Sequence, residues 1–266
     1  MAVITLTTEW RSDDYYFGII RGELESLSPG VRVITNASGM PKLNLAHAAF
    51  VIRNTFSHYP EGSVHLILVH TETSGKAKHL LVKSRGHYFI GADNGIFNLI
   101  LNSDPELIVV LENDSNREDL LVFASASAAI INGTNAVELG SVVEKFREMV
   151  PLRATIDSNV ITGSVIFIDS YGNTITNITR ETFERVFGGR PVVITIQSNR
   201  HRIGTVSKNY NENPVGELLA RFNSLDLLEI AINGADVSEL YGLQTGSVVR
   251  ITDDTKKSGA GVGLFT

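Results

Sequence analysis

The chain has 266 residues, enough for one large domain or two of ordinary size, and 43% of them are hydrophobic. With 23 basic and 29 acidic residues the net charge is −6, and no long basic run occurs, which argues against nucleic acid as the main partner. Cysteine is absent, so disulfides, thiolate zinc sites and cysteine nucleophiles are excluded together.

The N-terminus "MAVITLTTEW" lacks the basic and apolar regions of a signal peptide. No apolar run approaches the roughly 18 residues of a spanning helix, so no membrane partner and a cytoplasmic setting are expected. Residues 3 to 8, "VITLTT", alternate as a strand does. "DDYYFGIIRGELESLSPG" then sets Phe17, Ile20, Leu24 and Leu27 at helical spacing, closed by Pro29-Gly30. "VRVIT" reads as a second strand, and "LNLAHAAFVIRNTFSHYP" as an amphipathic helix stopped by Pro60. "SVHLILV" is nearly all apolar, as befits a strand buried on both faces. This alternation predicts an α/β domain, residues 1–154, with a mostly parallel sheet and flanking helices.

Three short strand-like runs follow, "HLLVKS", "YFIGA" and "LIVVLE", around the turn "GADNGIF". The spacing of "AVELGSVVEKFREM" predicts a helix ending before Pro151. Beyond it lie short strands separated by Gly, Asn and Asp turns, with helical pattern only in pieces such as "ETFERVF" and "VGELLARF". A smaller all-β barrel domain is expected over residues 155–266.

Several stretches could carry chemistry. "HTETSGKA" lacks the first Gly of a Walker A loop and the hydroxyl after Lys76, so it is not a phosphate loop. The seven histidines are scattered and no metal site is expected. Glu9 and Asp14 stand where a first strand gives way to a first helix; they suit a ribose diol, but Ser12, Asp13 or Asp14 each make a good helix cap, the reading that spacing alone favours. In "IDSYGNTITNI", Asp169 could hold an ammonium and Tyr171 a base. A plain β-turn with Asn173 in a left-handed conformation is the alternative.

"TTEWRSDDYYFGIIRGEL" resembles the N-terminal signature of the S-adenosylmethionine (SAM) hydroxide adenosyltransferase family, relatives of the adenosyl fluorinases and chlorinases. Asp14, Tyr16, Gly18 and Gly22 match it in register, with Glu9, Trp10 and Arg21 replacing the family's Asp, Phe and Lys. "LNLAHAAFVIRNTFSHYPEGSVHLILV" and "ADNG" are similar to its next blocks. "IDSYGNTITNI" and "NPVGELLARFNSLDLLEIAINGA" resemble its C-terminal ones, so the likeness runs through almost the whole chain in order.

The resemblance implies a homotrimer with sites between subunits, SAM or adenosine as the small-molecule partner, and no cofactor. It implies attack of a nucleophile on the ribose C5′, expelling methionine. Glu9 would take the ribose hydroxyls with Asp14 supporting the loop, and Leu43 would stand beside the ribose. Asp169 would hold the methionine ammonium, assisted by Asn173 and Ser224. Tyr171 and Tyr210 would flank adenine, and the backbone near Asn233 and Gly234 would meet its edge.

One departure bears on the reaction. Where the family has a catalytic Asp this chain has His70, the Arg position falls at Ala77 or Lys78, and Glu118 takes the His position. Hydrolysis would then use His70 as general base, Glu118 to orient it and Lys78 as positive charge; an ordinary imidazole, with a pKa of about 6.5, suits the base role. Binding without turnover is the alternative. Halide use, suggested by Thr73 at a halide-contact position, ranks last because Asp119 falls at the next one and would repel an anion.

Overall fold

The computed structural model describes residues 1–71, 78–101, 103–112, 118–197 and 201–254. The chain divides into two compact units, Met1–Pro151 and Leu152–Thr266.

The first unit runs β1 (Ile4–Thr8), α1 (Tyr15–Leu27), β2 (Val33–Ala37), α2 (Leu45–Thr55), β3 (Val64–Leu68), β4 (His79–Ser84), β5 (His87–Ala92), α3 (Ile96–Ile100), β6 (Leu107–Leu111), α4 (Asp119–Ile131) and β7 (Gly140–Val142). Its sheet has the order β2-β1-β3-β5-β4-β6-β7. The first four strands in that order are parallel, and β4, β6 and β7 extend them antiparallel.

Both faces of the sheet are covered, which is why β3 has no polar alternation. Leu66 and Leu68 face a core shared with Phe17, Ile20 and Leu24 of α1 and Phe123 of α4. Ile67 and Val69 face the opposite core, with Ala48 and Ile52 of α2 and Phe97 of α3. Leu27, expected to face inward with the rest of the α1 stripe, lies 38% exposed at the last turn.

Two expectations in this unit are corrected. Residues 136–149 do not form a helix: Ala136–Leu139 is a single 3-10 turn and β7 follows, paired with β6. A Cβ at position 140 would lie 1.9 Å from the Val110 carbonyl oxygen, so Gly140 lets β7 close onto β6. The same glycine inside a helix would cost about 1 kcal/mol. The helix actually present here, α4, escaped sequence reading because it is apolar almost all round. It is buried by α1 on one side and the sheet on the other.

The second unit contains β8 (Thr155–Asp157), β9 (Val160–Ile168), β10 (Thr174–Thr179), α5 (Arg180–Phe187), β11 (Val192–Ile196), β12 (His201–Ile203), β13 (Val206–Ser207), β14 (Leu218–Phe222), β15 (Leu227–Ile232), α6 (Val237–Tyr241) and β16 (Val248–Asp253). Its strand order is β12-β11-β16-β9-β10-β15-β14-β13, with β8 beside β9. β12 approaches β14, so the sheet is nearly closed into a barrel around Ile161, Ile178, Ile194, Leu228 and Ile230. "VGELLARF" is corrected from helix to strand: β14 pairs antiparallel with β15 from Leu218↔Ile232 to Phe222↔Leu228. The pairing of a barrel strand overrides the helix preference of Glu, Leu and Ala. Among the described residues no helix is long and apolar enough to cross a membrane.

Candidate active site

In the first unit the chain passes from β1 through α1 to β2 on one side, then through α2 to β3 on the other. The strand order therefore reverses between β1 and β3, and a crevice opens beyond their carboxyl ends. A cleft of about 920 Å³ lies at this edge, and Glu9, Asp14, His70 and Glu118 all line it. Residues from three separate stretches of sequence thus meet at one place. Leu43 lines it too, 66% exposed.

Local chemistry fixes each of them. Glu9 accepts a short hydrogen bond from the Leu43 amide, and its own amide donates to the Leu68 carbonyl at 3.3 Å, tying the ends of β1 and β3. Asp14 caps α1, accepting from the Tyr16 amide at 3.1 Å. Capping thus coexists with a place on the cleft wall. Glu118 is the N-terminal flanking residue of α4 and is exposed, with no capping bond from its side chain.

His70 adopts a left-handed backbone, φ 49°. Non-glycine residues rarely do so without a cause. The cause here is Asn94, 4% exposed, whose amide nitrogen donates to the carbonyls of Val69 and His70 at 3.1 Å each. Its oxygen accepts from the Ile96 amide at 3.1 Å, which starts α3. The Asn of "ADNG" therefore pins the bend that carries the imidazole. We expect Asn94→Ala to leave two carbonyls unpaired and to cost about 1–3 kcal/mol. Thermal melts read that loss directly.

Sequence reading did not assign a role to Trp10 and Tyr16, which line the cleft with their rings stacked at 5.2 Å. Both lie inside the motif quoted above, and that was the available signal. Nor did it find the partner of Asp119, the buried His79, whose Nε2 lies 3.2 Å from the Asp119 carboxylate. Lys78 is exposed and does not line the cleft among the described residues. Thr73 lies outside the described residues. Among those residues no group of three or more His, Asp or Glu side chains is placed to hold a metal ion.

The remaining candidates belong to the second unit and form their own network. Asp169 accepts from the amides of Tyr171 and Asn173 at 2.9 Å and from the Asn173 side chain at 3.0 Å. The left-handed residue of this turn is Gly172, φ 77°, rather than Asn173; a Cβ there would strike the Asp236 carboxylate at 2.0 Å. Tyr171 projects outward, 79% exposed. The Tyr210 hydroxyl makes a short bond to the buried Glu229, and burial, then that bond, push its pKa up. The Arg221 guanidinium covers one face of its ring at 4.7 Å. The Asn233 side chain donates to the Asn213 carbonyl at 2.8 Å, and Ser224 is exposed in the turn before β15.

A crevice at the switch point of an α/β sheet, walled by carboxylates, an imidazole and stacked rings, is the form of a small-molecule site. The chain belongs to the SAM hydroxide adenosyltransferase family: residues 4–140 match its N-terminal domain and residues 163–250 its C-terminal domain. It is 26% identical over 268 residues to the (R)-S-adenosyl-L-methionine hydrolase of Thermus thermophilus, spanning 94% of this chain and 100% of that protein. Identity to the (R)-S-adenosyl-L-methionine hydrolase of Salinispora arenicola is 24% over 265 residues, covering 94% and 97% of the two chains. A solved structure of an uncharacterized conserved protein from Thermotoga maritima shares the fold, with TM-score 0.85 at 22% identity over 94% of this chain and 100% of that one.

Proposed function

We propose that this chain hydrolyses SAM to adenosine and methionine. Water attacks the ribose C5′, the C5′–S bond breaks with its electron pair going to the methionine sulfur, and one water proton leaves. The sulfonium is already a good leaving group. The protein therefore has to align water and C5′, exclude bulk solvent and accept a proton.

The observation that carries this reading is the meeting of His70 with Glu9, Asp14 and Glu118 in one cleft. In it His70 accepts the proton, Glu118 orients the imidazole and Glu9 takes the ribose hydroxyls, with Asp14 supporting the loop. Asp169, Asn173 and Ser224 take the methionine end, and Tyr171, Tyr210 and Asn233 the adenine. The same reading takes Lys78 as a positive charge acting from outside the described cleft wall and Thr73 as a substrate contact. The cleft wall also favours water over halide. Glu9, Asp14, Glu118 and Asp119 face Arg11 and Lys42, a surplus of carboxylate that suits a sulfonium cation and repels an anionic nucleophile.

The reading extends to a cytoplasmic homotrimer with ligand sites between subunits and no resident metal or cofactor. Exposed apolar side chains on α1, Tyr15 and Ile19, supply surface for such an assembly. Incubation of the protein with SAM, with and without chloride, tests the reaction. Adenosine with methionine is the expected product pair. 5′-Chloro-5′-deoxyadenosine would instead make it a halogenase, and tight calorimetric binding with no product would make it a binding protein.

A further inference from the structure

The pairing of His79 with Asp119 has no counterpart in the roles assigned above. β4 runs antiparallel to β5, with His79 opposite Ala92, so the first residue of β4 lies at the edge where β3 and β5 end. His79 is buried there, 6% exposed, its ring in an edge-to-face contact with Phe123 of α4, centroids 4.8 Å apart. Its Nε2 lies 3.2 Å from an Asp119 carboxylate oxygen, which can only accept, so the contact calls for an N–H at Nε2. The pair thereby fixes the Asp119 side chain in the first turn of α4.

The arrangement is the reverse of a buried carboxylate orienting an exposed imidazole. Here the imidazole is buried and the carboxylate looks out: Asp119 is 35% exposed and lines the cleft with His70. Only Oδ1 meets the imidazole, and among the described residues Oδ2 has no ion-pair partner. An acceptor held from behind, with one oxygen left for the cleft, is what a small donor such as water needs. If the pair served only to join β4 to α4, two apolar side chains would do so without burying an imidazole.

Resting on the hydrolytic reading, we propose that Asp119 is a catalytic residue and His79 its positioning residue. Asp119 accepts a hydrogen bond from the attacking water and sets the direction of its lone pair toward C5′. His70 removes one proton from that water. The second hydrogen stays on oxygen, held by Asp119, and becomes the 5′-hydroxyl hydrogen of adenosine as methionine departs with the C5′–S electron pair. Asp119 ends the step unprotonated, facing the imidazolium it helps to stabilise. The carboxylate missing at position 70 is in this way supplied from α4.

Steady-state adenosine release by the full-length protein tests the assignment, with Asp119→Asn, Asp119→Ala, His79→Gln, His79→Asn and His79→Ala beside the wild type. Both Asp119 variants should lose about 100-fold or more in kcat with KM little changed. Gln places an amide N–H close to the position of imidazole Nε2, whereas the shorter Asn does not reach it. His79→Gln should therefore keep kcat about tenfold above His79→Ala, and His79→Asn should fall with the alanine variant. Near-ultraviolet circular dichroism identifies any variant that fails to fold; the isosteric Asp119→Asn keeps the test open if Asp119→Ala does. Asp119→Asn at the wild-type kcat, a loss confined to KM, or equal kcat in the three His79 variants overturns the proposal. Absence of adenosine from the wild type itself refutes hydrolysis first, and this assignment with it.

Discussion

Replacing His70 by Ala is expected to abolish adenosine formation from SAM while leaving SAM binding within a few-fold of wild type. Removal of a general base typically costs about 10²–10⁴-fold in rate. His70 lines the cleft, but no hydrogen bond from its ring is needed to hold the bend, because Asn94 grips the backbone carbonyls instead. The side chain can therefore be deleted with little structural consequence. A left-handed backbone is strained for Ala, so His70→Asn is the better control; Asn tolerates that conformation and lacks a comparable base. Product separation gives the rate and calorimetry the affinity. An unchanged rate in His70→Asn would remove His70 from the mechanism.

Stability should fall steeply on acidification between pH 6.5 and 3, and a large part of that fall should trace to one imidazole. His65 sits inside β3, 2% exposed, its Nδ1 at 2.8 Å from the Thr5 hydroxyl and its Nε2 at 3.2 Å from His87 Nδ1. The rings of Phe56 and Phe89 pack around it. Burial first, and the neighbouring His87 second, lower its pKa to about 3. Above pH 6.5 the ring is neutral in both native and unfolded chains and contributes no pH dependence. Below 6.5 the unfolded chain takes up a proton that the native chain refuses, so native stability drops by up to about 1.4 kcal/mol per pH unit. By pH 4.5 this amounts to about 2–3 kcal/mol, a sizeable fraction of the roughly 5–15 kcal/mol that holds a domain together. Urea melts at pH 7, 5.5 and 4.5 should show a shallower pH slope for His65→Asn than for wild type. Equal slopes would mean that the buried pair accepts protons in the native state.

What could be read in advance divides along physical lines. The strands and helices that present one apolar face, β1, α1 and α2, are plain in the sequence, as is β3 with its nearly all-apolar run. α4 was hidden because burial on nearly every side removes the periodicity on which such reading depends. Residues 136–149 misled for the converse reason: their apolar spacing suits a helix, yet a close approach at Gly140 decides for a strand. At the cleft, Glu9, Asp14, His70 and Glu118 were accessible through motif and resemblance. The His79–Asp119 contact was not, since it joins residues 40 positions apart through an antiparallel register that no local pattern announces.

That register has a consequence for how such a protein can change. β5 lies between β3 and β4, so His70 and His79 are anchored at the same sheet edge roughly 10 Å apart, two strand spacings. The chain leaves that edge after one anchor and returns to it at the other. Residues between the two can be exchanged, added or removed while both anchors keep their places in the sheet. A connection mounted between two such anchors can change in length and sequence without refolding the sheet.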